Sequence, residues 1–319
     1  MRLLSSLLLV AGLVHAQDEA PTFRADTQIV LLQVSVLDKK GNLVTDLPQG
    51  AFKVFENGVE QQIRIFKRED VPVSMGLIID NSGSMRDKRQ KVIAASKAFV
   101  EASNADDEMF VVNFNDLAYI DQDLTSQRKK LEEALDKLDA RGGTAMRDAI
   151  SLSYDYLMKS GKKDKRVLLV ITDGNDNASE ISLEQLVRKV QKVDGVLVYC
   201  IGLLTEEEPR EARNAKRALK ALAEGSGGLE FYPKDLAEVE KITPQIAHEI
   251  RNQYVIGYSP SNQNFDGTFR TVKVDVKGPN SPVARTRSGY YATAESGQPP
   301  KPAPAKPAAP AKPQSGAKK

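Results

Sequence analysis

The chain has few of the residues that build thiol or imidazole chemistry. Its 319 residues include one cysteine, two histidines and no tryptophan. The single cysteine, Cys200, rules out a disulfide within the chain. Because it stands in an apolar run, we expect a buried, inert thiol rather than an intermolecular bridge. His15 lies in a predicted leader, so His248 alone remains, which excludes zinc sites built from several His or Cys ligands.

The chain also lacks a hydrophobic run long enough to span a membrane in the usual way. Its first apolar stretch is short and follows a positive start at Arg2, and Val14-His15-Ala16 has the pattern of a small-residue cleavage site. We therefore predict a secretory signal over residues 1–16 and export of the protein, either to a periplasm or to the outside. No cysteine stands near the cleavage point, which disfavours a lipid anchor.

Charge is nearly balanced, with 45 Lys and Arg against 43 Asp and Glu. Six of the basic residues, Arg2 and five lysines near the C-terminus, lie outside the body of the chain. Without them the acidic residues outnumber the basic ones, so the body of the chain is net acidic. It has no basic patch interleaved with aromatic residues, which excludes nucleic acid as the partner. From Ser296 the chain is mainly Pro, Ala and Lys, which predicts a disordered tail over residues 293–319. This tail either solubilises the protein or contacts anionic envelope polymers.

Residues 71–252 alternate between apolar runs typical of strands and amphipathic runs typical of helices. This alternation predicts an α/β fold with a doubly wound, mostly parallel sheet and helices on both faces. Ligands of such sheets bind beyond the carboxyl ends of the strands. The predicted strands are 74–79, 109–114, 117–120, 166–172, 196–201 and 229–232. The predicted helices are 88–103, 126–138, 145–159, 183–193, 209–224 (stopped by Gly225) and 236–252.

The two flanks of this segment have a β-like pattern instead. In the second flank, the strict alternation over residues 272–277 is typical of a half-exposed strand. Each flank has only about 40 residues, a length that rarely holds a core alone. We therefore predict that the flanks, 17–70 and 253–292, pair into one β-sandwich with residues 71–252 inserted between them. The predicted strands are 27–37, 51–55, 59–66, 253–258, 268–276 and 284–291.

Oxygen-bearing side chains follow two predicted strands and precede one predicted helix. Each of them alone has an ordinary interpretation as a helix cap or turn residue. Together they place two carboxylates and three hydroxyls on three loops, and hard cations such as Mg²⁺ prefer oxygen ligands. The sequence therefore predicts a cation site formed by Asp80, Ser82, Ser84, Thr144 and Asp173.

This pattern resembles the metal-ion-dependent adhesion site of von Willebrand factor type A domains, over about residues 71–252. The resemblance implies that these five residues hold a divalent cation, for which we expect Mg²⁺, with Mn²⁺ and Ca²⁺ as alternatives. Only two ligands carry charge, so the cation stays electrophilic and keeps an open position for a partner's Asp or Glu. Residues 52–58 and 253–260 further resemble a bacterial exported family described as VWFA-related, which extends the resemblance to about residues 24–292.

The expected function is that of an exported, non-enzymatic binding module that engages an acidic side chain of a protein partner through the cation. The alternative is a structural or assembly subunit of a cell-envelope complex, in which the metal mainly stabilises the fold. A metal-dependent hydrolase is the third interpretation, but no general base accompanies the motif. His248 is the one candidate, and it lies in a helical pattern far along the chain.

Three consecutive glutamates, Glu206, Glu207 and Glu208, follow the strand that contains Cys200. Acidic residues favour helix N-termini, so they are readily explained as the solvated start of the next helix. The alternative hypothesis is that they modulate the metal site by raising the negative potential near the cation, or by occupying its open position when no partner is present.

Overall fold

The computed structural model describes residues 28–68, 70–137, 141–174, 176–192, 195–204 and 208–293. The predicted leader, residues 1–16, and all but the first residue of the predicted tail lie outside these ranges. Over the described ranges, every helix is too short or too polar to cross a membrane.

Fourteen strands, six α-helices and two short 3-10 helices (Gln49–Ala51 and Gly83–Met85) make up the described structure. The strands are β1 (Val30–Leu37), β2 (Phe52–Glu56), β3 (Val59–Gln61), β4 (Ile63–Arg68), β5 (Val73–Asp80), β6 (Glu108–Phe114), β7 (Ala118–Thr125), β8 (Lys165–Thr172), β9 (Val196–Gly202), β10 (Glu230–Phe231), β11 (Tyr254–Tyr258), β12 (Phe269–Val276), β13 (Val283–Arg285) and β14 (Gly289–Tyr291). The helices are α1 (Arg89–Ala102), α2 (Arg128–Leu135), α3 (Met146–Ser160), α4 (Leu183–Val190), α5 (Pro209–Ser226) and α6 (Leu236–Arg251).

The central sheet is mostly parallel, which confirms the predicted fold class. Its strand order is β10-β9-β8-β5-β6-β7, and β7 alone of these six runs antiparallel to its neighbour. All residues of β5 and β9 are buried, which explains their continuous apolar sequences. Because β5 and β8 are parallel neighbours, their carboxyl ends meet at one edge of the sheet.

Each face of this sheet is covered by three helices. Side chains of α1, α2 and α6 form one buried cluster with it, and those of α3, α4 and α5 form the other. The predicted stop of α5 at Gly225 is wrong. The helix continues to Ser226, and Gly227 ends it with φ +92°, a left-handed conformation that only glycine adopts without strain. Cys200 is fully buried in this core, as expected.

The flanks pair into two four-stranded antiparallel sheets that share one core, so the predicted β-sandwich is confirmed. Their orders are β13-β1-β11-β4 and β14-β12-β2-β3, and each sheet takes strands from both flanks. The single strand predicted over residues 59–66 is wrong, since β3 and β4 lie in different sheets. The single strand predicted over residues 284–291 is wrong for the same reason, since it is split between the two sheets. Between its halves the chain turns toward the inserted unit, where Ser288 N donates to Glu224 O and Arg287 Nη2 donates to Lys192 O. The exact domain boundaries stay predictions.

A buried polar cluster joins the sandwich to the inserted unit. The Glu249 carboxylate of α6 accepts hydrogen bonds from Ser35 of β1 and from Tyr199 of β9. Gln253 Nε2 donates to both of those hydroxyl oxygens. Burial raises the pKa of Glu249 to about 7. The cluster fixes the inserted unit against the sandwich at a distance from the predicted cation site.

Candidate metal site

Asp80 ends β5 and is held by the loop that follows it. Its Oδ1 accepts a hydrogen bond from Ser82 N at 2.9 Å, and its Oδ2 accepts one from Thr172 Oγ1 of the neighbouring strand. The side chain is 2% exposed. Because burial disfavours the charged form, it raises the pKa of Asp80 to about 6, although the hydrogen bonds from Ser82 and Thr172 oppose this shift.

Two serine hydroxyls connect this loop to the second aspartate. Ser82 Oγ and Ser84 Oγ lie 3.1 Å apart, and Ser84 Oγ donates to Asp173 Oδ1 at 2.8 Å. Asp173 directly follows β8 and is fully buried. The structure therefore brings four of the five predicted residues together at the carboxyl edge of the sheet.

The loop that contains Thr144 is joined to the first loop through its backbone. Gly83 N donates to Gly142 O at 3.1 Å, and Arg141 N donates to Asn81 O at 2.8 Å. Thr144 Oγ1 lies 3.8 Å from the place where a side chain at Gly174 would begin, so it faces the loop after β8. All three predicted loops thus lie at the same edge.

The sequence pattern did not predict that Asp116 supports the loop that contains Thr144, at a place where two glycines leave room for its carboxylate. Gly142 has φ +76°, and a Cβ atom there would lie 2.2 Å from Asp116 Oδ2. Gly143 N donates to the other oxygen of that carboxylate at 2.8 Å. The two glycines let the Asp116 carboxylate approach the backbone closely.

Asn177 and Asp176 were missed as well, and they hold the start of α3. Thr144 N donates to Asn177 Oδ1 at 2.9 Å, while Asn177 N donates back to Thr144 O at 3.1 Å. Asp176 accepts hydrogen bonds from the Arg147 backbone and guanidinium. The available signal was the run of Asp and Asn residues after Gly174, since these side chains bond readily to nearby backbone groups.

The most consequential residue missed is Lys88. Its ammonium lies 2.7 Å from Asp173 Oδ2, and the two side chains are 8% and 0% exposed. Both oxygens of Asp173 therefore accept hydrogen bonds from protein donors. In the sequence, Lys88 reads as an ordinary basic residue at the start of a helix, and nothing in the motif predicts that it turns back into the site.

The donor set fits a hard divalent cation on chemical grounds. It combines hydroxyl and carboxylate oxygens, which such ions prefer. Over the ranges that the structure describes, no group of three His, Cys, Asp or Glu residues is placed to hold a metal. A cation at this edge would therefore depend on the serine and threonine hydroxyls. The assignment of the five residues as ligands stays a prediction.

The three glutamates fall only partly within the described structure. Glu208 is exposed at the residue that precedes α5. Glu206 and Glu207 lie outside the described residues, so the hypothesis that the three modulate the site stays a prediction. His248 is exposed near the end of α6, whose last turn lies against the start of β8, because Lys165 Nζ donates to Ile250 O. His248 is therefore remote from the carboxyl edge of the sheet, where the candidate metal site lies.

Residues 75–245 match the family model of the von Willebrand factor type A domain. This match covers more than half of the chain, so the protein belongs to that family. Members of the family are usually adhesion or interaction modules rather than enzymes, and their adhesion sites bind divalent cations.

Individual relatives are distant. Calcium-activated chloride channel regulator 1 of Equus caballus is 25% identical over 170 residues, which are 51% of this chain and 17% of that protein. The uncharacterized protein YfbK of Escherichia coli K12 is 27% identical over 186 residues, 55% of this chain and 31% of that protein. The chain spans about half or less of the length of the curated relatives that it matches.

A solved structure supports the fold. The von Willebrand factor type A protein from Catenulispora acidiphila superposes with a TM-score of 0.50 at 14% identity, over 86% of this chain and 76% of that one. At this level of identity the similarity concerns the fold alone. Its coverage extends well beyond the residues that match the family model.

Proposed function

We propose that this protein is an exported binding module that engages an acidic side chain of a protein partner through a divalent cation, expected to be Mg²⁺. The supporting observation is the convergence of carboxylates and hydroxyls from three loops at one edge of the sheet. The proposed ligands are Asp80, Ser82, Ser84, Thr144 and Asp173. Export is inferred from the predicted leader.

The proposed ligands divide into two chemical kinds. The three hydroxyls would supply neutral oxygens, and the two aspartates would supply negative charge. When bound, the cation would supply an electrophilic centre for an incoming carboxylate oxygen. Asp173 already accepts hydrogen bonds from Ser84 and Lys88, so its charge would be shared between these donors and the cation.

The geometry favours binding over catalysis. The candidate base, His248, is exposed and remote from the site. In the structural alternative, the cation only stabilises the fold of an envelope subunit. Removal of the cation by chelator would then not release the partner. In the binding proposal, Glu206, Glu207 and Glu208 tune the affinity for the partner.

The first test is metal binding by an Asp80→Asn variant. The neutral amide keeps the shape of the carboxylate but removes charge, so Mg²⁺ binding measured by isothermal titration calorimetry should be lost. In chelator the same variant should be more stable by about 3 kcal/mol, because the rise in the pKa of Asp80 from 3.8 to about 6 reflects that cost of burying the charge. Asp106→Asn, an exposed residue between α1 and β6, is the matched control and should change neither quantity. Unaltered Mg²⁺ binding by Asp80→Asn would contradict the proposed site.

The second test is capture of envelope proteins on the immobilised full chain, with Mg²⁺ and then with chelator. Partners that bind through the cation should be released by chelator and should be absent from the Asp80→Asn column. Partners retained equally by both columns, with or without Mg²⁺, would favour the structural alternative.

A further inference from the structure

A basic cleft opens at the same edge of the central sheet as the candidate metal site. It lies where β9 and β10 end and has a volume of about 240 Å³. β9 pairs with β8, and β10 pairs with β9. Since β10 lies two strands from β8 and neighbouring strands are about 4.8 Å apart, the end of β10 is offset from Asp173 by about 10 Å across the sheet.

Three cationic side chains line this cleft, and its described lining includes no acidic residue. Arg213 and Lys216 project from the exposed face of α5, and Lys234 follows β10. Within the described residues, none of the three forms an ion pair. The described lining of the cleft therefore carries three positive charges, and the exposed Glu208 and Glu211 stand near the start of the same helix.

The floor of the cleft is built by Tyr232. Its ring packs against the end of β9 at Gly202, where a Cβ atom would lie 3.0 Å from a ring carbon. The Lys216 ammonium lies 4.7 Å from the ring centroid, and Tyr232 OH donates to Lys216 O at 3.1 Å. The cation–π contact thus holds this ammonium at the cleft rather than leaving it free in solvent.

The nearest acidic residues in the chain after the cleft are engaged elsewhere. Asp235 Oδ1 accepts a hydrogen bond from Glu238 N at 2.9 Å and caps the start of α6. Glu238 Oε2 accepts one from Lys234 N at 2.7 Å. Neither carboxylate forms an ion pair with Lys234 within the described residues, so the Lys234 ammonium is available to an external anion.

We propose that this cleft binds a second acidic side chain of the same partner, alongside the one on the cation. The inference rests on the proposed function and adds to it the chemistry of the partner, an acidic protein segment with two Asp or Glu residues. An extended chain rises about 3.3 Å per residue, so a separation of about 10 Å places the two acids three or four positions apart. Complementary charge at two points favours fast and specific association.

The test uses fluorescent peptides of Gly and Ser that carry one glutamate, two adjacent glutamates, or two glutamates three or four positions apart. With Mg²⁺, a peptide with the wider spacing should bind about tenfold more tightly than the one-glutamate peptide, because the second contact is intramolecular. The triple variant Arg213→Ala, Lys216→Ala, Lys234→Ala should lose this gain and keep the affinity for one glutamate. The matched control Lys129→Ala, Lys130→Ala, Lys159→Ala removes three exposed lysines from other helices and should behave as the unaltered chain.

The two levels of the proposal fail in different ways. Absence of Mg²⁺-dependent binding for every peptide would overturn the proposed function and this inference with it. Mg²⁺-dependent binding of one glutamate with no gain from a second, or an equal gain in the triple variant, would overturn the cleft inference alone. Binding of inorganic phosphate that the triple variant abolishes, without a gain for two glutamates, would assign the cleft to small anions instead.

Discussion

Buried carboxylates occur both in the sandwich and at the candidate metal site, and their surroundings differ. In the sandwich, Glu56 Oε1 accepts a hydrogen bond from Arg270 Nη1 at 3.1 Å. Its Oε2 accepts from Tyr258 OH at 2.8 Å and Tyr290 OH at 2.7 Å. Arg270 is 1% exposed and Glu56 is 3% exposed. The charge of this carboxylate is therefore balanced within the fold.

At the candidate metal site the balance is incomplete. Asp80 and Asp173 are both buried, but Lys88 pairs with Asp173 and, over the described ranges, Asp80 forms no ion pair. Two carboxylates thus share one ammonium. The comparison shows that the charge of the buried carboxylate in the sandwich is neutralised by a buried guanidinium. The edge of the central sheet instead carries an excess of negative charge that a cation would neutralise.

The largest expected effect comes from breaking the balanced pair. Arg270→Met should lower the free energy of unfolding by about 3 kcal/mol, because it leaves the Glu56 carboxylate buried without a cation. Chemical denaturation followed by circular dichroism measures this loss. The double variant Glu56→Gln, Arg270→Met should recover most of it. A loss below about 1 kcal/mol would show that the two tyrosine hydroxyls suffice for Glu56.

A smaller effect is expected when the candidate metal site loses the ammonium of Lys88. It concerns two quantities, the free energy of unfolding and the affinity for Mg²⁺. In chelator, Lys88→Met should lower the free energy of unfolding by about 2 kcal/mol, since Asp173 stays buried without its partner. Mg²⁺ binding should tighten about tenfold, because a positive charge next to the proposed ligand is removed. Calorimetry with Mg²⁺ measures the second effect, and Lys91→Met, on the exposed face of α1, is the control. Weaker Mg²⁺ binding by Lys88→Met would mean that Lys88 positions Asp173 for the cation rather than competing with it.

The effect expected at the junction between the two units is no larger, and it depends on pH. The pKa of Glu249 is about 7 in the fold against an ordinary value of 4.5, so the folded state keeps a proton that the unfolded chain releases. Its contribution to stability is therefore complete below pH 4.5 and is lost as pH rises through about 7. Burial lowers the pKa of the nearby Lys165 to about 8, so that group stays protonated over most of this range. Between pH 5 and pH 7, Glu249→Gln should remove a decline of about 2 kcal/mol, measured by denaturation at each pH. The exposed Glu240→Gln on α6 should leave the slope unchanged, and a Glu249→Gln slope equal to that of the parent chain would refute the assignment.

The fold followed from the sequence because its signals were local and repeated. Continuous apolar runs marked the buried strands, and strict alternation marked the half-exposed β12. The split of residues 284–291 between two sheets was not predictable, since it depends on contacts of Arg287 and Ser288 with the distant end of α5. The end of α5 was misplaced because Gly225 and Gly227 are equally good stop signals in sequence, and only one of them has positive φ.

The choice of five candidate ligands followed from the sequence, because they end a strand, lie in the loop after one, or precede a helix, and their role as ligands stays a prediction. Lys88 and Asn177 did not follow, since their roles depend on side chains that cross between loops. The sequence does not show in which direction the side chain of a lysine near a motif points. Only the packing of the start of α1 against the end of β8 brings the ammonium of Lys88 to Asp173.

The insertion has a mechanical consequence. The chain leaves the sandwich through β4 and returns through β11, and these two strands are paired neighbours in one sheet. Tension applied between β1 and β14 is therefore carried by strand pairs that link the two flanks, such as β1 with β11 and β2 with β12. The inserted unit stands outside that load path. The candidate metal site lies at the edge of the inserted unit that is remote from the sandwich. A ligand bound there would therefore keep an undistorted site under tension, until the strand pairs of the sandwich separate.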